Sequence, residues 1–150
     1  MEVENVLRDK RFLVILLLLS SVVAHADPLL TYPLNIKGHM LRAELARTEE
    51  EKRTGLMERR RLGENAGMLF VYEREGLWAM WMKNTYIPLS VAFIASDGTI
   101  INIEDMEPLT EDTHQSAAPA KYALEVNRGW FAKRGIGPGD RVEGLGKLRK

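Results

Sequence analysis

The stretch from Trp78 to Ile94 reads WAMWMKNTYIPLSVAFI, and the polar triplet Lys83, Asn84 and Thr85 interrupts two apolar runs. Successive side chains of an extended strand point to opposite faces, so Trp78, Met80 and Met82 share one face and Ala79, Trp81 and Lys83 the other. With the first set in a core, Trp81 stands in solvent beside an ammonium group and two hydrogen-bonding side chains. An aromatic plate with such neighbours suits a sugar or a carboxylate-bearing ligand of the cell envelope. Arg59, just after the triplet GLM, is a candidate second cation. The candidate ligand-binding set is therefore Trp81, Lys83, Asn84, Thr85 and Arg59. The same residues also fit a plain strand end, in which Trp81 packs inside and Asn84 and Thr85 bond their own backbone.

Other chemistry is thinner. Met80 and Met82 with Trp78, or His39 with Met40, offer soft donors of the kind that select Cu(I), although apolar strand faces account for the same residues. Glu104, Asp105, Glu107, Glu111 and Asp112 cluster in sequence, and a pair of them could act as acid and base on a glycoside. A solvated charged edge is the plainer reading of such a run. Cysteine is absent, and HExxH, GxSxG and phosphate-binding glycine motifs do not occur. No catalytic residue, metal ligand or cofactor is assigned on this basis. Glu44, on an alternating strand, and Glu125, inside the apolar YALEV, are unusual because buried carboxylates need partners. Glu125 is expected to be tied structurally to an Arg or Lys.

The N-terminus supplies an address. Arg8, Lys10 and Arg11 precede the apolar run Phe12–Ala24, and AHA at 24–26 has the small-x-small pattern of a signal-peptidase site. The run falls short of the roughly 20 residues that span a bilayer. Residues 1–26 are thus expected to be a cleaved signal peptide and 27–150 a single exported domain, periplasmic or secreted, without stable membrane insertion. Across the chain 21 Lys and Arg balance 21 Asp and Glu. That balance supports neither a nucleic-acid footprint nor attraction to an anionic membrane surface. Without disulfides, stability rests on the core.

The elements that must position these side chains are short. TYPLNIKGHMLRAELA reads as two strands about Lys37-Gly38. Thr48 and Glu51 form a capping-box pattern, predicting a helix from about Glu49 to Met57. GMLFVY (67–72) reads as a buried strand, with 77–82 as its partner. LSVAFIA and TIINIEDM flank Asp97-Gly98, a type I′ hairpin signal. Residues 107–121 form a long polar loop of the kind that is often functional. YALEV is a strand, NRGWFAKRG a short helix ended by Gly135, and GIGPGDRVE a turn into a last strand. The sum is an α+β, mainly β chain. About seven short strands form a small barrel-like or strongly bent antiparallel sheet, with two short helices.

The stretches ELARTEEEKRTGLMERRRL (44–62), GMLFVY (67–72), WMKNTYIPLSVAFIASDGTI (81–100), YALEVNRG (122–129) and GIGPGDRV (135–142) resemble the domain of unknown function 192 family. That resemblance implies a compact, mainly β, barrel-like domain, usually exported, and implies no activity. One departure is Ser90, where the family commonly has Asp after IPL, which puts in doubt any site needing a carboxylate there. GIGPGDRV is also similar to the structural Gly-Asp turn of swapped-hairpin and double-psi barrels. The resulting expectation is an exported, non-catalytic binding module for an unidentified envelope ligand or partner. A polysaccharide hydrolase using the loop carboxylates and a periplasmic Cu(I) binder are the alternatives.

Overall fold

A computed structural model describes residues 30–149; the expected signal segment, 1–26, lies outside the described residues. The described residues form nine strands and one α-helix in the order β1 (Thr31–Ile36), β2 (His39–Ala46), α1 (Glu49–Thr54), β3 (Ala66–Gly76), β4 (Ala79–Met80), β5 (Leu89–Ile94), β6 (Ile100–Met106), β7 (His114–Gln115), β8 (Ala120–Asn127) and β9 (Val142–Glu143). Two 3-10 turns, Ala132–Arg134 and Leu145–Arg149, flank β9.

Seven strands form one curled sheet in the order β6-β5-β8-β3-β2-β1-β9, and β4 and β7 pair separately. The sheet is antiparallel except between β2 and β3, which run parallel because α1 carries the chain across between them. Its two edges meet at one end. Ile100 N–H donates to the Asp140 carbonyl at 2.8 Å, and Gly139 N–H donates to the Ile100 carbonyl at 2.8 Å. The expected bent, barrel-like β architecture is what forms.

The central strands β3, β5 and β8 carry core on both faces, which explains their nearly continuous apolar runs. Leu69, Ala92, Ile94, Leu124 and Val126 join one apolar cluster with Leu34, Leu41, Trp130 and Phe131. Met68, Phe70, Val91, Phe93 and Ala123 point the other way, into a cluster with Leu56, Met80, Met82 and Met106. Glu125 alternates with Leu124 and Val126 along β8 and registers between Met68 of β3 and Val91 of β5. It therefore faces the second, methionine-rich cluster.

Local chemistry explains α1. Thr48 Oγ1 accepts the Glu51 N–H at 3.1 Å, and Glu51 Oε2 accepts the Thr48 N–H at 2.9 Å. The Thr48 N–H and the Arg47 N–H, which donates to the same Oε2 at 2.7 Å, hold the Glu51 carboxyl below its ordinary value. The helix stops at Thr54, short of Met57, at Gly55. Three other expectations are corrected. Residues 77–82 do not pair with β3; only Ala79–Met80 is strand, and it joins His114–Gln115 inside the long loop. NRGWFAKRG forms a single 3-10 turn over Ala132–Arg134, with Gly135 left-handed as expected. At Asp97-Gly98 only the glycine has positive φ, at 94°, and the Gly98 N–H returns to the Ala95 carbonyl. The doubly left-handed geometry of a type I′ turn occurs instead at Lys37-Gly38, with φ of 52° and 82°.

Candidate functional site

A cavity of about 580 Å³ opens between α1, the turn after it, β3 and the Trp78–Trp81 segment. Phe70 and Tyr72, two residues apart on β3, line it from one side, and past the register shift that follows Val71 both Glu73 and Arg74 line it as well. The helix contributes Glu49, Lys52 and Arg53, and the turn contributes Leu56 and Met57. Trp78 stacks on Tyr72 with ring centroids 4.1 Å apart and planes 9° from parallel, and its Nε1–H donates to the Ala120 carbonyl at 2.9 Å. The Tyr72 hydroxyl donates to Met80 Sδ at 3.6 Å. This packing fixes one wall as a rigid aromatic and thioether surface.

Glu125 also lines the cavity, although its residue is only 4 % exposed. The expected Arg or Lys partner is not there. Among the described residues its carboxyl has neither a hydrogen-bond nor an ion-pair partner, and desolvation pushes it up to about 8. Burial likewise raises the neighbouring Tyr72 phenol, with a further contribution from Glu125. A buried, unpaired carboxyl is costly, so this one is the most unusual group of the described surface and interior.

Two of the residues singled out from sequence meet here. Trp81 lines the mouth and is 42 % exposed, and Thr85 lines the interior. Thr85 Oγ1 donates to the Lys83 carbonyl at 3.1 Å. Lys83 lies beside the cavity rather than in its wall, with Nζ 5.2 Å from the Trp81 ring centroid and 3.5 Å from Glu111 Oε1. Asn84 is exposed and left-handed, with φ of 53°, so it makes the turn. Arg59 does not join the group. Its guanidinium grips Glu44 at both ends, Nη1 to Oε1 at 2.6 Å and Nη2 to Oε2 at 2.7 Å.

The polar triplet is braced from both sides. Glu58 N–H donates to the Asn84 carbonyl at 2.9 Å, Leu109 N–H to the Thr85 carbonyl at 3.1 Å, and Met82 N–H to the Thr110 carbonyl at 3.1 Å. The long polar loop thus packs against the stretch that supplies Trp81.

The other candidate chemistries are dispersed. Glu104 accepts from Asn102, Glu107 pairs with Arg128 at 2.8 Å and Glu111 with Lys83. Asp105 Oδ1 accepts the Ser90 hydroxyl at 2.5 Å, and Ser90 Oγ in turn accepts the Gly129 N–H at 3.0 Å. Ser90 is a buried tie, and the adjacent carboxylate comes from β6 rather than from its own position. His39 and Met40 sit on the β1–β2 hairpin, outside the cavity lining. The described residues hold no group of three or more His, Cys, Asp or Glu arranged for a metal ion.

Sequence reasoning noticed Glu125 but assigned it a partner. It missed Lys52, Arg53, Tyr72 and Arg74. The i, i+2 spacing of Phe70 and Tyr72 was the available signal for the β3 wall.

Two solved structures share this architecture. A protein described as a "putative transcription regulator" from Sinorhizobium meliloti 1021 is 39% identical, with a TM-score of 0.77 over 81% of this chain and 98% of its own. A protein of unknown function from Novosphingobium aromaticivorans DSM 12444 is 38% identical, with a TM-score of 0.76 over 79% of this chain and 89% of its own. No curated protein matches the chain. The family profile described as "Uncharacterized ACR" matches residues 32–144, so the chain belongs to the DUF192 family.

Proposed function

We propose that this protein is an exported, non-catalytic binding module whose small-molecule ligand sits in the cavity between α1, β3 and the Trp78–Trp81 segment. One observation carries the reading: Glu125 presents a carboxyl, unpaired among the described residues, to a cavity with aromatic walls. Small-molecule sites are mostly apolar concavities of roughly 300–1,000 Å³ with a few convergent polar groups. At about 580 Å³, lined by Phe70, Tyr72, Trp78 and Met80 with a single deep carboxyl, this cavity has that character. Trp81 at the mouth supplies an exposed aromatic surface to the incoming ligand. Export rests on the basic, apolar and AHA sequence of residues 8–26.

A binding role accounts for these features better than catalysis does. The carboxylates considered for glycoside cleavage are engaged with Asn102, Ser90, Arg128 and Lys83, apart from Asp112. The regulator description of one structural neighbour finds no support in charge, since the chain is balanced at +0.

The test is a metabolite screen by native mass spectrometry against the purified domain and its Ala79→Trp variant. Ala79 is exposed and lines the cavity, so the indole narrows the mouth without disturbing core. A ligand retained by the wild type and lost from Ala79→Trp, at unchanged melting temperature, supports the reading. Retention by both, or no retained ligand at all, overturns it.

A further inference from the structure

The cavity carries uncompensated charge of opposite sign at its two ends. At the floor is Glu125, 4 % exposed and without a partner among the described residues. At the mouth are Arg53 and Arg74, both exposed and neither engaged in a hydrogen bond or ion pair among the described residues. We propose that the cavity takes a small zwitterion of the amino-acid or dipeptide class, its ammonium group against the Glu125 carboxylate and its carboxylate at the guanidinium groups of Arg53 and Arg74. This rests on the reading of the cavity as a ligand site and adds the ligand's chemistry and orientation to it.

The inward ammonium follows from what surrounds Glu125. A carboxylate removed from water is stabilised by a cation brought into contact with it, and the described residues supply none. Lys52, a lysine that α1 contributes to the lining, is held by Glu49 at 2.5 Å and does not bond Glu125. The walls themselves accept ammonium groups. Lys52 Nζ lies 5.4 Å from the Tyr72 ring centroid, and Lys83 Nζ lies 5.2 Å from that of Trp81. Two rings of the lining thus already seat a cation against a π face, the contact a ligand ammonium would make.

The outward carboxylate follows from the mouth. Besides Glu125, the titratable charges facing the cavity are Lys52, Arg53 and Arg74 against Glu49 and Glu73, an excess of one positive charge. Guanidinium groups bind carboxylates through paired donors, so they suit this end of the ligand. Between the two ends, Leu56, Phe70 and Met80 leave an apolar surface for a side chain. A neutral polyol would satisfy Glu125 as a protonated acid but would leave the arginines unused.

Four probes separate these possibilities: the dipeptide alanyl-phenylalanine, its N-acetyl form, its C-terminal amide, and glucuronate. Binding is read by calorimetry and by amide shifts of Ala79 and Met80. The dipeptide should bind; acetylation, which removes the ammonium, should weaken it at least tenfold; amidation should weaken it several-fold. Glu125→Gln should abolish dipeptide binding, and Arg53→Ala with Arg74→Ala should weaken it several-fold. Affinity should rise from pH 5.5 to 7.5, below the ordinary α-amino pKa of about 8, with proton release on binding. Equal binding of the N-acetyl dipeptide or of glucuronate, with Glu125→Gln tolerated, overturns the zwitterion assignment while leaving the cavity a ligand site. No binding by any of the four also overturns it, and the broader reading is then judged by the Ala79→Trp screen alone.

Discussion

The Lys83 ammonium lies 5.2 Å from the Trp81 ring centroid, on the solvent side of a segment whose next residue, Met82, is completely buried. Neighbouring residues therefore have opposite duties. The contact with Lys83 helps hold the indole at the cavity mouth, while Met82 anchors the same backbone in the methionine-rich cluster.

Trp81→Ala should consequently change stability by no more than about 1 kcal/mol, as surface substitutions do. Met82→Ala should cost about 2–5 kcal/mol through lost contacts and a cavity. Urea unfolding of the two variants decides the matter. A severe loss for Trp81→Ala would place the indole in the core and remove it from any site.

Arg59 and Glu44 provide a contrasting pair. Their two-point contact is one-fifth to one-third exposed, between the surface and buried extremes. Arg59→Ala should cost about 1–2 kcal/mol, since it strands a half-buried carboxylate after removing charge-assisted bonds. Arg59→Ala combined with Glu44→Gln should recover part of that loss. Neither side chain lines the cavity, so ligand retention should survive both changes. Lost retention at unchanged stability would return Arg59 to the site.

What could be read in the sequence was local. Thr48 and Glu51 cap α1 through bonds spanning three residues, and the alternation of Met40, Arg42 and Glu44 with Leu41, Ala43 and Leu45 fixes a face of β2. Residues joined over long distances were less legible. Ala79–Met80 finds its strand partner at His114–Gln115, within a stretch with no period of its own. Asp97-Gly98 has the composition of a type I′ turn, yet a register shift between Phe93 and Ile94 changes the geometry that the turn must close. Glu125 stood out as a charge in an apolar strand. Its missing partner was not legible, because that depends on which side chains of α1 and β3 reach over β8.

If the N-terminal segment directs export, processing after Ala26 should leave Asp27 as the first residue. Mass spectrometry of the protein recovered from the exported fraction checks this directly. A retained Phe12–Ala24 segment in the membrane fraction would contradict it.

At the last turn, Asp140 Oδ2 accepts the Gly137 N–H at 2.8 Å and lies 3.4 Å from Lys37 Nζ. Asp140→Ala should lower the melting temperature by removing both contacts. Gly139 has φ of 90°, and a Cβ there would meet nothing within 4 Å. The strain in Gly139→Val is therefore conformational rather than steric crowding, and should cost at least about 1–2 kcal/mol for a β-branched residue. The larger loss should come from Gly139→Val. An unchanged melting temperature in both would show that this turn does not help close the sheet edges.

Glu125 makes stability depend on pH in a direction opposite to that of ordinary paired carboxylates. Its folded-state pKa is raised by desolvation to about 8, whereas in the unfolded chain it titrates near the ordinary value of 4.5. Below the lower value both states hold the proton and the residue adds no slope. Between the two values the unfolded chain releases its proton while the folded chain keeps it, so rising pH favours unfolding. Above about 8 both states are ionised and the slope from this residue ends. Glu51, and Glu75, whose carboxyl is held low by hydrogen bonds from Ser96, have lowered values, so their contributions are lost as pH falls, at the acid end of the range. The difference between wild type and Glu125→Gln isolates the single residue. The wild type should lose stability relative to the variant steadily from about pH 4.5 to about pH 8. Denaturant unfolding at intervals across that range measures the difference. A flat difference would mean that a cation or a hydrogen-bond donor already satisfies the carboxyl, and the cavity floor would then be structurally occupied rather than open to a ligand.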